Sequence, residues 1–366
     1  MVCATSTATE GYTGRFSHFK SNGFYRPFLG VQISSLGLGT YLGDSSDSAD
    51  ALYVEAIQTA LSSGINLLDS AVNYRCMRSE RNIGQALGAL IQEKKISREE
   101  VVLCTKGGFI PYEGQPPAHP EKYFQEAYFK PGICQPNEMV AGCHCMTPAY
   151  LRNQVERSLQ NMKIETIDLY YVHNPEMQLE EVPREEFLHR LEKAFQALEQ
   201  LVKEGKIRAY GTATWNGYRV KPDSQEYLSL HDILRTAERA AGHSRHHFQA
   251  IQLPYNLGMP EAFFLNNQTA GAQTLPVLST AQANGIAVFT SASILQARLS
   301  RDLPPSVAGA FPGLPTDASR AIQFARSTPG VTAALVGMKR KEHVRENLKV
   351  AEIHPSPAEA LHKLFK

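Results

Sequence analysis

Short apolar runs alternate with amphipathic helical stretches along most of this chain. This alternation is typical of βαβ units around a parallel sheet. Eight apolar runs have the length of strands: residues 36–41, 65–71, 101–107, 167–173, 207–212, 250–254, 286–290 and 332–337. Eight repeats are the number that closes a (β/α)8 TIM barrel, so the sequence predicts an α/β protein of this architecture.

An open, doubly wound sheet alternates strands and helices in the same way. A nucleotide site in such a sheet normally contains a G-x-G-x-x-G turn between the first strand and the next helix. Gly37 and Gly39 lie in the first strand here, but no such motif leads into a helix. We therefore favour the closed barrel. We also expect an N-terminal β-hairpin, formed by residues 25–33 and then the chain from Leu36 onward, to cover the bottom of the barrel. We expect residues 1–24 to be a flexible segment and residues 25–366 to be one barrel domain.

Composition and charge limit the classes of partner. The chain has 366 residues, 43% of them hydrophobic and 20% charged, which is typical of a globular protein with a sizeable core. The net charge of +1 disfavours a nucleic acid or a membrane surface as partner. The N-terminus lacks the apolar stretch of a secretory signal, and no span is long enough to cross a membrane. We expect a cytoplasmic protein with a small-molecule substrate, and the oligomeric state stays open.

Four polar residues stand at or just after the ends of three predicted strands: Asp69, Tyr74, Lys106 and His173. In a (β/α)8 barrel the active site is built from these C-terminal strand ends and the loops that follow them. One such residue alone is often a helix cap or a satisfied core group. Four of them together predict a chemical site, especially because an ammonium such as Lys106 after an apolar run must be paired or desolvated at a cost.

Proton exchange with an oxygen that receives a hydride is chemistry that these four residues can share. A free tyrosine has a pKa of about 10, which is too high for an efficient acid at neutral pH. We expect a buried Lys106 to lower the pKa of Tyr74, and Asp69 to keep the lysine charged. His173 would hydrogen-bond the substrate oxygen. No serine or cysteine nucleophile with an adjacent base is evident, so hydrolysis is disfavoured.

The order of these segments resembles the aldo-keto reductases over residues 25–350. The matching motifs are Gly37-Leu38-Gly39-Thr40, Asp69 through Tyr74, Ser79-Glu80 with Ile83-Gly84, Thr105-Lys106, His173-Asn174-Pro175, Lys206-Ile207-Arg208 with Gly211, Gln252, and Gly337 with Glu346-Asn347. The resemblance implies hydride transfer between NADPH, or NADH in some members, and a carbonyl or alcohol substrate. It also implies that Asp69, Tyr74, Lys106 and His173 are the catalytic tetrad.

The resemblance further implies where the cofactor lies. Around the nicotinamide and its ribose it places Gly39, Thr40, Tyr41, Asp69, Asn174, Gln252 and Phe289, the last as a ring that stacks on the nicotinamide where many relatives have tyrosine. Along the pyrophosphate it places Ser291, Leu295 and Arg298, although the family's usual Ser-Pro-Leu is absent there. Around the adenosine it places Gly337, Lys339, Arg340, Glu346 and Asn347. Lys339 and Arg340 suit an adenosine 2′-phosphate, so NADPH is favoured over NADH.

The interval between the third and fourth predicted strands is much longer than the others. Residues 109–146 in it form an enlarged, aromatic-rich loop at the catalytic end. Loops of this length are usually functional, so we expect this one to be a wall of the substrate pocket. Tyr41, Tyr74, His173 and Trp215 are the other predicted substrate contacts.

The same loop carries Cys134, Cys143, His144 and Cys145, which invite comparison with a zinc site. Their spacing lacks the paired C-x2-4-C of structural zinc sites, and we predict a packed loop with no metal.

Two alternatives to a simple carbonyl reductase keep the cofactor. One is an enzyme that uses tightly bound NAD(P) transiently to oxidise and re-reduce a sugar, with net elimination or epimerisation. The other is a redox-sensing subunit that binds NADPH without turnover. A sugar or glycoside is also a candidate substrate of the leading reaction, because the long aromatic loop suits something larger than a simple aldehyde.

Overall fold

The computed structural model describes residues 2–271 and 273–365. Its strands are β1 (Tyr25–Phe28), β2 (Val31–Ser34), β3 (Leu36–Gly39), β4 (Leu67–Asp69), β5 (Val102–Gly107), β6 (Ile167–His173), β7 (Ile207–Ala213), β8 (Phe248–Pro254), β9 (Gln268–Ala270), β10 (Gln273–Leu275), β11 (Ala287–Ser291) and β12 (Ala333–Gly337). Strands β3 to β8, β11 and β12 form a closed barrel in which every neighbouring pair is parallel. The predicted eight-stranded barrel is confirmed, with strand boundaries within two residues of those expected.

Two helices precede β1, and the others lie between or after the barrel strands. They are α1 (Ser6–Gly14), α2 (Ser17–Lys20), α3 (Asp47–Ser62), α4 (Arg78–Gln92), α5 (Pro120–Phe124), α6 (Pro148–Met162), α7 (Arg184–Lys203), α8 (Leu230–Ala241), α9 (Glu261–Phe264), α10 (Val277–Ala283), α11 (Pro305–Ala310), α12 (Asp317–Ser327), α13 (Lys341–Asn347) and α14 (Ala358–Lys363), with short 3-10 segments at Arg98–Glu100, Pro136–Glu138, Pro175–Glu180 and Leu348–Glu352 and a π turn at Gln125–Phe129. Within the described ranges, no helix combines the length and apolarity needed to cross a membrane.

The hairpin of β1 and β2 closes the N-terminal end of the barrel, as expected. Its inward side chains Phe28, Val31 and Ile33 belong to the cluster that fills the barrel interior. The Phe28 ring lies edge-on to Phe289 of β11, with 5.2 Å between the ring centroids. This apolar plug leaves the opposite end of the barrel for polar chemistry.

The segment before the hairpin differs from the flexible one that we expected. Helices α1 and α2 occupy it, and Tyr12 of α1 is fully buried. The Tyr12 hydroxyl donates to the Leu61 carbonyl at the end of α3, at 2.7 Å. Tyr12, Phe16 and Phe19 recur at helical spacing and their rings pack on one another, so this segment has an apolar face to bury.

The enlarged loop at residues 109–146 is confirmed as an insertion after β5. It holds α5, the π turn and a 3-10 turn, and around Tyr128, Cys134 and Cys145 it forms a small core that it shares with Tyr150 of α6. The two ends of the loop pair with each other, since the Ile110 N–H donates to the Cys143 carbonyl at 2.8 Å. The insertion is therefore a folded unit rather than an open loop.

We predict that Phe28→Ala lowers the free energy of unfolding by about 3 kcal/mol, because it opens a cavity in a packed interior. Urea unfolding followed by circular dichroism would measure the change. Gln32→Ala, on the neighbouring strand of the hairpin, is the matched control and should stay within about 0.5 kcal/mol of the parent. Equal stabilities for Phe28→Ala and the parent would contradict the plug.

Candidate active site

The C-terminal ends of the barrel strands open onto a pocket of about 940 Å³. All eight barrel strands, or the loops directly after them, contribute residues to its lining. The ends converge because the strands are all parallel and share one rim. Residues far apart in the chain are thus collected at one place.

A buried ion pair lies beneath this pocket. Lys106 is fully buried, and its Nζ donates to Asp69 Oδ2 at 2.6 Å and to the Ser70 carbonyl at 2.7 Å. Asp69 Oδ1 accepts a further bond from Gln252 Nε2 at 2.9 Å. Burial acts to lower the pKa of Lys106, but the Asp69 charge and the hydrogen bonds outweigh it, so the pKa is raised. Lys106 is therefore a charged ammonium inside the barrel.

Strand register explains this meeting. Asp69 pairs with Cys104 on β5, and Lys106 is two residues further along the same strand. Side chains two residues apart point to the same face of a strand, so Lys106 rises towards the rim from which Asp69 projects.

Tyr74 lies over the ion pair, with its ring centroid 4.9 Å from Lys106 Nζ. We expected Lys106 to lower the pKa of this tyrosine. The pKa of Tyr74 is instead raised, because desolvation by burial outweighs the lowering by the Lys106 charge and its hydrogen bond. Tyr74 is consequently a neutral phenol at physiological pH, with a cation beside it that would stabilise its phenolate.

His173 ends β6 and faces Tyr74, with 5.9 Å between their ring centroids. Burial and the Lys106 charge hold the pKa of His173 well below its ordinary value. The imidazole is therefore neutral and can donate one N–H bond and accept one. Its Nδ1 is buried and has no hydrogen-bond partner among the described residues.

Most residues predicted to contact cofactor or substrate border this one pocket. They are Gly39, Thr40, Tyr41, Asp69, Tyr74, His173, Asn174, Trp215, Gln252, Ser291, Gly337, Lys339, Glu346 and Asn347. Asn174 has a left-handed backbone, with φ of 45°, which turns the chain sharply after β6. The structure therefore brings these residues together at one pocket.

Phe289 does not lie where we expected it. Its side chain is fully buried in the barrel interior, where it packs on Phe28 and Tyr171, and it does not border the pocket. Ser291 points to the same face two residues closer to the rim, and it does border the pocket. A ring at position 289 therefore lies too deep in the barrel to stack on a nicotinamide in the pocket.

Three further predicted contacts lie outside the lining. Leu295 and Arg298 do not border the pocket, although Gln296 and Ala297 between them do. Arg340 is exposed at the start of α13 and also lies outside, whereas its neighbour Lys339 borders the pocket. In an irregular loop, neighbouring side chains can point in opposite directions, so one residue borders the pocket and the next does not.

Some lining residues were not predicted at all. His343 lies three residues before Glu346 and four before Asn347 on α13, and a helix-spacing argument from those two residues would have found it. Asn73 directly precedes Tyr74 and lines the same rim. Nothing in the residue types of Ser293 and Gln296 distinguishes them from an ordinary polar loop.

The expected aromatic wall is smaller than predicted. Within residues 109–146, all of which the structure describes, Phe109 is the one that borders the pocket. The loop's other aromatic rings pack on one another, as Tyr112 does on Phe124 with 5.9 Å between centroids. These rings bury one another's surface. Phe109, at the base of the loop, is therefore the loop residue that lines the pocket.

The cysteines of the loop do not assemble a metal site. Cys134 and Cys145 are buried in the loop's own core and Cys143 is half-buried. Across residues 2–271 and 273–365, no group of three or more histidine, cysteine, aspartate or glutamate side chains has a metal-binding arrangement.

Trp215 is held at the pocket by a buried carboxylate. Glu176 Oε1 accepts backbone N–H bonds from Trp215 at 2.6 Å and Asn216 at 3.2 Å. Burial raises the pKa of Glu176 to about 7, against the lowering effect of these bonds. The loop that carries the Trp215 ring is therefore tied to a group that titrates near neutrality.

Comparison with known proteins agrees with this geometry. The model of the aldo/keto reductase family matches residues 35–302. The match covers well over half of the chain, and the chain belongs to the aldo/keto reductase family.

Among curated relatives, an NADH-specific methylglyoxal reductase of Escherichia coli is 29% identical over 56% of this chain and 54% of its own length. A 6-dehydroglucose reductase of Novosphingobium aromaticivorans is 26% identical over 51% of this chain and 49% of its own. The chain thus spans about half the length of these two relatives.

Among solved structures, an aldo/keto reductase of Klebsiella pneumoniae in complex with NADP and acetate is 21% identical, covers 91% of each chain and has a TM-score of 0.60. The holo form of an aldo-keto reductase of Bacillus halodurans is 19% identical, covers 93% of this chain and 95% of its own, and has a TM-score of 0.60. At these identities the likeness concerns the fold.

Glu176 predicts a pH dependence of stability. The folded state favours its protonated form, so the stabilisation present below the unfolded pKa of about 4.3 is lost as pH rises through about 7. Between about pH 4.5 and 8 the parent should lose about 3 kcal/mol of unfolding free energy relative to Glu176→Gln. Urea unfolding over this range would measure it. The exposed Glu180→Gln is the control, and parallel curves for the parent and Glu176→Gln would contradict the assignment.

Proposed function

We propose that this protein is an NADPH-dependent oxidoreductase that transfers a hydride between the nicotinamide and a carbonyl or alcohol substrate, with Tyr74 as proton donor or acceptor. One observation carries the proposal: a buried Lys106–Asp69 ion pair lies under a neutral tyrosine, and a neutral histidine faces that tyrosine in the same pocket. Membership of the aldo/keto reductase family supports it.

In the direction of reduction, Tyr74 gives its proton to the substrate oxygen. Its raised pKa keeps the proton on the phenol until it is needed. The Lys106 ammonium, held by Asp69, then stabilises the phenolate that remains, which lowers the cost of the transfer. His173, kept neutral by burial, donates its N–H to the same oxygen and orients it beside the phenol.

The donor set of the pocket suits a dinucleotide. Asn174 and Gln252 offer amide groups near Tyr74, and Glu346 and Asn347 offer polar groups towards α13. When bound there, the nicotinamide supplies or accepts the hydride. Lys339 borders the pocket with a positive charge, and His343 borders it as well. These groups support NADPH over NADH, a preference that the Escherichia coli relative, named as NADH-specific, does not share.

The walls near Tyr74 support a carbonyl substrate with apolar surface. Tyr41 and Trp215 line the pocket with side chains that are 55% and 43% exposed, and Phe109 adds a third ring. Exposed aromatic faces pack well against C–H groups, including those of a sugar ring. A sugar carbonyl is accordingly among the candidate substrates, in line with the relative named 6-dehydroglucose reductase.

We predict that Tyr74→Phe lowers kcat for carbonyl reduction at least about 100-fold, because the proton donor is removed while the ring is kept. NADPH affinity should change by less than about threefold, since the pocket's other donors remain. NADPH-coupled absorbance against aldehydes, ketones and sugars would measure turnover, and fluorescence titration would measure affinity. Tyr112→Phe, in the loop outside the pocket, is the control. Full activity in Tyr74→Phe would contradict the assigned role.

The cofactor preference has a separate test. Lys339→Ala should weaken NADPH binding by about tenfold more than NADH binding, because the ammonium pairs with the additional phosphate. Arg340→Ala removes the same charge one residue away, outside the pocket, and should alter the NADPH to NADH ratio little. Fluorescence titration of each variant with both nucleotides gives the ratio. An equal loss for both nucleotides in Lys339→Ala would remove the 2′-phosphate assignment.

A further inference from the structure

The enlarged loop reaches the site through its two paired ends. Residues 108–110 and 143–145 run antiparallel: the Cys145 N–H donates to the Gly108 carbonyl at 2.8 Å, and Phe109 and His144 form a bridge pair. This pairing places the His144 imidazole, which is fully buried, directly behind the end of β6. There His144 Nε2 lies 2.7 Å from the His173 carbonyl oxygen.

A directed series of hydrogen bonds fixes the state of His144. Arg190 on α7 can only donate, and its Nη1 gives a bond to Gln178 Oε1 at 2.8 Å. The amide nitrogen of Gln178 must therefore donate to His144 Nδ1, at 2.9 Å. At the other end, the His173 carbonyl can only accept, so its partner Nε2 must carry the proton.

Both ends of the series demand the same form of the ring. His144 is neutral, with its proton on Nε2, and burial lowers its pKa to about 4, which keeps it neutral at physiological pH. A charged ring would set an Nδ1 proton against the Gln178 amide group. The bond to the His173 carbonyl is therefore present throughout the neutral range.

Space around this contact is closely fitted. A Cβ at Gly108 would lie 2.7 Å from the His173 carbonyl oxygen and 2.8 Å from His144 Nε2, and its φ of +150° also favours glycine. The Phe109 ring stands edge-on to both histidines, with centroids 5.5 Å from His144 and 4.9 Å from His173. The base of the loop thus holds the backbone and one ring face of His173 at once.

We infer that His144 is a positioning residue: it fixes the His173 carbonyl, and through it the aim of the His173 imidazole at the substrate oxygen. This inference rests on the proposed reductase function. Asn174 is anchored independently, since its N–H donates to the Ala213 carbonyl at 2.6 Å. Loss of the His144 bond should accordingly disturb the aim of His173 more than it disturbs the cofactor side of the pocket.

The kinetic test compares two substitutions of similar bulk. His144→Leu removes the donor, whereas His144→Gln keeps an N–H that can reach the same carbonyl. We expect His144→Leu to lower kcat for carbonyl reduction at least about tenfold, with NADPH affinity within about threefold of the parent, because a small misplacement of an orienting group costs rate. His144→Gln should restore kcat to within about threefold of the parent. A loss of fold stability alone would affect both variants without this rescue.

Several outcomes would overturn the inference. One is an active parent with an equally active His144→Leu, and another is a His144→Gln variant as impaired as His144→Leu. A parent that reduces no carbonyl would overturn the proposed function itself, and the role of His144 would fall with it.

A spectroscopic test stands beside the kinetic one and does not depend on the folding of His144→Leu. Long-range 1H–15N spectra of the 15N-histidine-labelled parent distinguish the two neutral tautomers and the charged ring, with His144 assigned by comparison with His144→Gln. We expect the neutral Nε2–H form near pH 7. A charged ring or an Nδ1–H tautomer would overturn the inference.

Discussion

An ammonium group, that of Lys106, is fully buried inside the barrel, and the arrangement of the site follows from that burial. An isolated buried charge of this kind costs several kcal/mol, and a partner removed from it leaves the other charge uncompensated. Lys106 is paired with Asp69 and also bonded to a carbonyl, while Gln252 supports the free oxygen of the carboxylate. Three strands, β4, β5 and β8, are thereby joined at their C-terminal ends by side chains as well as by the sheet.

The two ends of the barrel differ in polarity, and this difference bears on the buried charge. The hairpin plug and the Phe289 ring make the N-terminal end dry and apolar, so that electrostatic interactions above it act in a medium of low dielectric constant. In such a medium the charge of Lys106 has a strong effect on Tyr74, and desolvation of Tyr74 has an even stronger one. A phenol that stays protonated beside a cation that stabilises its conjugate base is the result of these two opposed effects.

The sequence was sufficient for the barrel because each strand is a short apolar run between turn signals, and the parallel arrangement then places every strand end on one rim. For the same reason it predicted that Asp69, Tyr74, Lys106 and His173 lie close together, as they do. The sequence did not predict how deep in the barrel a side chain lies or whether a loop side chain points into the pocket. Periodicity shows that Phe289 faces inward, but only the layer in which it lies shows that it is core. The sign of the Tyr74 pKa shift likewise depends on a balance of burial and charge that no linear pattern contains.

The enlarged loop shows how an insertion can affect a site while most of it stays away. The entropic cost of a loop rises slowly with its length, so a long insertion is tolerated if it can bury its own apolar surface. This one does so, with aromatic rings packed on each other around Tyr128 and Cys134. Its folded body adjoins the paired base, where Phe109 and His144 contact His173. Most of the loop's aromatic residues thus pack in a cluster away from the pocket, while Phe109 and His144 at the base of the loop contact His173.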